Sequence, residues 1–159
     1  MTGVQTCALP ICIRHKVIQE LSKTDSPELV EHFFARLALE TKEVQDKMIA
    51  TVSRLARNPE LKIEERIIPE LASESALSRE VSARLLAQMP NKVEVIRKFL
   101  VYTRGIVFWL RERIFETMHT IAGSVADAVL ELLMDEDPAI RIDSMFLAAY
   151  IQEIGRAHV

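Results

Sequence analysis

Helix-spaced apolar positions recur at one near-constant interval along most of the chain, and this periodicity most narrows what it can fold into. Val44, Leu77, Leu110 and Ile140 lie 33, 33 and 30 residues apart. Four residues further on stand Met48, Val81, Ile114 and Ser144, then Val52, Leu85, Met118 and Ala148, and after these Leu55, Gln88, Ile121 and Ile151. A matching set precedes each of these: Val30, Ile63, Ile96 and Ala126, followed by Phe34, Ile67, Leu100 and Leu130. Spacings of three and four place such residues on one face of a helix. Two amphipathic helices repeated at a period of about 30–33 residues predict an all-α solenoid of antiparallel hairpins, in which each hairpin buries its apolar face against its neighbours.

The punctuation agrees with that period. Lys23 to Pro27, Asn58-Pro59, Pro90-Asn91 and Gly123-Ser124 place a proline or a capping residue where a new helix would start. The expected units are a half-repeat at 12–23 and hairpins at 26–57, 59–89, 91–122 and 124–153. Within them Gly105 and Gly123 are the only glycines, which leaves little material for β turns. The ends read differently. Residues 1–11 (MTGVQTCALPI) and 154–159 (IGRAHV) resemble a translated sequencing adapter. They are therefore expected to be non-native tails and are set aside from the fold. On that reading Cys7 and Cys12, the two cysteines of the chain, carry no disulfide or metal information.

The last unit carries a family resemblance. Val129 to Ile151 (VLELLMDEDPAIRIDSMFLAAYI) joins an apolar first helix to a D-x-D-P turn, with Arg141 three residues after Pro138. This segment resembles a HEAT repeat. The preceding unit, WLRERIFETMHTIAG, keeps the arginine as Arg111, and Pro69 sits inside a first helix where HEAT repeats are often kinked. The resemblance implies a right-handed superhelix, with Asp137, Pro138 and Arg141 as the structural repeat motif: Asp137 caps the second helix and Arg141 reaches toward acidic neighbours.

Chemistry-bearing patterns are sparse. His15, His32 and His119 share no helix at ligand spacing, so no metal site is expected. Asp135-Glu136-Asp137 lacks the turn glycine and the further oxygen ligands of a calcium loop. No glycine loop or nucleophile elbow is present. Neither a catalytic residue nor a cofactor is therefore expected, and the chain is read as a non-enzyme. The net charge of −3 does not call for a polyanionic partner. Locally, however, Lys92, Arg97, Lys98, Arg104, Arg111 and Arg113 face only Glu94 and Glu112, a balance of +4 interleaved with Phe99, Tyr102, Phe108 and Trp109. Asp127 to Asp143 then carries six acids against Arg141. Adjacent units of opposite sign are expected to attract one another along the stack. A protein-binding patch and a nucleic-acid surface are the alternative uses of the basic stretch.

The resemblance also implies that second helices line the concave face. By register that face exposes Lys47, Thr51 and Arg54, then Glu80, Arg84 and Ala87, then Arg113, Thr117 and Thr120, then Asp143, Leu147 and Tyr150. Lys47, Arg54, Arg84, Arg113 and Thr117 are the candidate protein-binding residues. The expected function is a scaffold or adaptor that holds a protein partner without chemistry of its own. A nucleic-acid-binding HEAT-like domain is one alternative. A regulatory repeat segment of a larger enzyme, such as a bilin-lyase relative, is the other. Charges interrupt every apolar run, so no membrane span is read and a cytoplasmic location is expected.

Overall fold

The computed structural model describes residues 11–21, 23–24 and 26–156; the tail readings at 1–10 and 157–159, with Cys7 and His158, lie outside the described residues. Among the described residues the chain is all-α, without strands. The helices are α1 (Ile11–Leu21), α2 (Pro27–Leu37), α3 (Lys42–Leu55), α4 (Ile63–Leu71), α5 (Ala76–Gln88), α6 (Lys92–Thr103), α7 (Phe108–His119), α8 (Ala122–Leu132) and α9 (Pro138–Arg156). A single 3-10 turn, Pro59–Leu61, leads into α4.

Local chemistry accounts for the starts. Prolines open α2, the 3-10 turn and α9, where the missing N–H costs nothing. Ser75 accepts from the Ser78 N–H at 3.3 Å, and Asp137 accepts from the Ala139 N–H at 2.8 Å. Lys62, between the 3-10 turn and α4, is left-handed with φ 47°. Pro69 does not end α4, which runs on to Leu71. The fourth unit starts earlier than the Gly123-Ser124 break suggests: α8 begins at Ala122, so both residues lie in its first turn.

Packing follows a simple order. Each of α1, α3, α5, α7 and α9 contacts the next in that series, as do α4, α6 and α8. Cross-contacts α2–α3, α4–α5 and α8–α9 join the two sets. The core runs continuously between them, from Leu29, Val30 and Phe33 through Ile49, Ile67, Leu86 and Phe99 to Val125, Ile140 and Leu147. At its middle the Phe99 and Phe115 rings lie 6.4 Å apart between centroids. Burying aliphatic and aromatic side chains of this size stabilises each by about 1.5–3 kcal/mol, which makes this seam the main source of stability.

Two helices depart in part from the sequence register, α5 at its ends, with Val81 and Leu85 buried as expected, and α8. Leu77 is 49% exposed, whereas Met89 is 1% exposed and takes the core place expected of Gln88. In α8 the core residues are Val125 and Val129, while Leu130 is 51% exposed. The helix starts are also unevenly spaced. The second helices begin at Lys42, Ala76, Phe108 and Pro138, so the start-to-start spacing shrinks along the chain instead of holding constant.

Candidate protein-binding face

Arg141 occupies the fourth position of α9 and turns back over its own linker, donating to the carbonyls of Asp135 at 2.7 Å and Glu136 at 3.1 Å. The reach is to the backbone of the acidic residues Asp135 and Glu136, with the Arg141 charge also acting on the Asp135 carboxyl. Arg79, at the fourth position of α5, makes the same pair of bonds to Ser73 at 2.7 Å and Glu74 at 3.0 Å. Sequence reasoning missed Arg79 because the acceptors are backbone atoms, which leave no signature in residue type. Arg111 holds the fourth position of α7 but turns outward to Asp143 at 3.1 Å. Asp143 also receives Arg104 at 2.7 Å and lies buried between the two guanidinium groups.

The basic stretch meets the acidic one side chain by side chain. Arg97 pairs with Asp135 at 2.8 Å, Arg104 and Arg111 with Asp143, and Arg104 reaches Asp137 at 3.9 Å. Lys98 turns the other way, to Glu64 at 3.3 Å and Glu94 at 3.4 Å. The Arg97 side chain and then the Asp137 N–H hold the Asp135 carboxyl below its ordinary range. Burial lowers the Lys98 ammonium, but Glu64 and Glu94 outweigh it and leave the group raised.

The series α3, α5, α7 and α9 presents the candidate binding residues. Arg84, Arg113 and Thr117 come together along an open groove of about 470 Å³ between α5 and α7, which Arg79, Glu80 and Glu116 also border. Lys47 and Arg54 stand apart on α3, exposed. Arg84 is half-buried: it donates to Gln45 Oε1 at 2.9 Å and pairs with Asp46, tying α5 to α3. Thr117 Oγ1 accepts from Arg79 Nε at 3.3 Å and donates to the Arg113 carbonyl at 2.9 Å. Arg113 is exposed, its guanidinium 5.8 Å from the Trp109 ring centroid.

Three residues expected on the open face are buried instead. Thr51 bonds the Lys47 carbonyl at 2.8 Å, Asp143 holds its two arginines, and Leu147 is fully enclosed. Phe108 and Trp109, the aromatics interleaved with the basic residues at the start of α7, are 74% and 54% exposed. Beside them lies a small pocket between α7 and α9, lined by Phe108, Arg111, Glu112, Phe115, Phe146 and Tyr150. Among the described residues no three His, Cys, Asp or Glu side chains gather to hold a metal ion, and no helix is long and apolar enough to cross a membrane.

No family model, curated protein or solved structure matches the chain. The functional reading is carried by the chain's own geometry.

Proposed function

We propose that the chain is a right-handed, HEAT-like α-solenoid of antiparallel hairpins, and that it works as a scaffold holding a protein partner along its second helices. The observation that carries this reading is the open groove that brings Arg84, Arg113 and Thr117 together on the α3–α5–α7–α9 series. The serial contacts of alternate helices and the same carbonyl clasp at Arg79 and Arg141 support the repeat architecture. Stacked repeats suit a holding role because the surface grows with each unit while the core design stays the same. Against the nucleic-acid alternative, Arg97, Lys98, Arg104 and Arg111 are paired with carboxylates of this chain.

The test is capture of partners from a cell extract by the immobilised protein, compared with a variant carrying Lys47→Glu, Arg54→Glu and Arg113→Glu. Arg84 is left intact because reversing it would also break the tie between α3 and α5. The scaffold reading expects a defined set of captured proteins to be lost from the variant while its circular dichroism stays unchanged. Equal capture by both forms overturns the assigned face.

A further inference from the structure

We infer that the pocket between α7 and α9 receives one aromatic side chain of a partner's extended segment, and that a neighbouring acidic residue of that segment meets Arg113. This inference rests on the scaffold reading of the same face and names the chemistry of the partner. The pocket measures about 150 Å³, and apolar cavities of ~150 Å³ take one benzene ring. Its walls are mostly rings. Phe115 forms the buried floor and meets Tyr150 edge to face at 5.6 Å, while Phe108 and Phe146, 74% and 57% exposed, form the rim. A guest ring can add to such an edge-to-face arrangement.

The polar groups at the pocket already have partners. Arg111 lies over the Phe115 ring at 5.3 Å and is paired with Asp143, and Glu112 accepts from the Tyr150 hydroxyl at 3.1 Å. A cation already occupies the ring face, so a second would be repelled and the guest is apolar. The pocket opens between two helices rather than at an end of the series: Ile142 and Met145, exposed on α9, do not line it.

Charge selects the second feature. On the other side of α7 the exposed Arg113 guanidinium lies 5.8 Å from the Trp109 ring centroid, and its N–H fork suits a carboxylate. Arg79 and Arg84 in the adjoining groove are already bonded within the chain. Arg113 is therefore the cation best placed to meet an acidic residue a few positions from the anchored ring. Aromatic and arginine side chains around one pocket are also the usual composition of an energetic centre in an interface.

The test is selection from a displayed library of random peptides of about twelve residues, with the full chain as bait. The expected result is enrichment of peptides in which Phe, Tyr or Trp lies within about four positions of Asp or Glu. A synthetic peptide of that consensus should lose about tenfold or more in affinity on Phe146→Ser or Phe108→Ser, and about threefold to tenfold on Arg113→Glu. Phe108 and Phe146 are exposed, so their serine variants should keep the wild-type circular dichroism. No enrichment, enrichment of basic peptides, or affinity indifferent to both serine variants overturns the pocket. Binding lost on Lys47→Glu with Arg54→Glu, yet indifferent to Phe146→Ser, overturns the pocket and leaves the scaffold reading standing. Failure of the extract experiment strikes the scaffold reading itself.

Discussion

Ser144 is a hydroxyl sealed in the apolar seam: it is fully buried on α9, and its Oγ has no hydrogen-bond partner. A buried donor without an acceptor costs about 1–3 kcal/mol, whereas a methyl there costs nothing comparable. Ser144→Ala is therefore expected to raise the thermal midpoint by about 2–4 °C per kcal/mol recovered, measured by calorimetry. Asp135 works in the opposite sense. Arg97 and the Asp137 N–H stabilise its charged form in the folded chain, so its folded pKa lies below the unfolded value of about 3.9. Between those two values the unfolded chain binds more protons, and stability there rises with pH. The contribution is complete above the unfolded pKa and disappears as pH falls through the folded one. Urea midpoints should therefore drop from pH 5 to pH 3, and Arg97→Met should flatten that slope. An unchanged slope would remove Asp135 from the account.

The element that departs most from its sequence pattern is α5. Its interior carries apolar or small residues in both possible registers, with Val81, Ser82, Leu85 and Leu86 all buried. Helices pack on it from several sides, so periodicity alone could not choose between Leu77 and its neighbour as the inward residue. The columns in α3 and at the start of α9 were legible because each presents one apolar edge, as with Val44, Met48, Val52 and Leu55. Of the positions that register placed on the open face, Arg113 is exposed and borders the α5–α7 groove together with Thr117. Thr51 and Leu147 are buried instead, because neighbouring helices close over them and a single helix wheel does not record its neighbours. What anchors α5 is the Arg79 clasp on the linker carbonyls. Arg79→Met keeps most of the side-chain volume and removes both bonds, and should cost about 1–3 kcal/mol in chemical denaturation. A loss below a few tenths of a kcal/mol would make the clasp incidental.

Across the whole molecule, α5 contacts α3, α4, α6, α7 and α8, which places it at the centre of the packing. Amide exchange should therefore be slowest there and fastest in α1, measured by mass spectrometry; equal rates in both would contradict this gradient. Five of the polar ties between units share nearly one reach. Arg84 to Gln45, Arg79 to Thr117, Arg97 to Asp135, Arg104 to Asp143 and Tyr150 to Glu112 each join residues 38 or 39 positions apart. Each tie therefore fastens a unit to its immediate neighbour. On the proposed repeat architecture, a chain linked in this way would behave mechanically like a spring made of similar coils. Under tension from its two ends, extension would be shared among the units at low load, and at higher load they would peel away one after another, each releasing a similar length of chain.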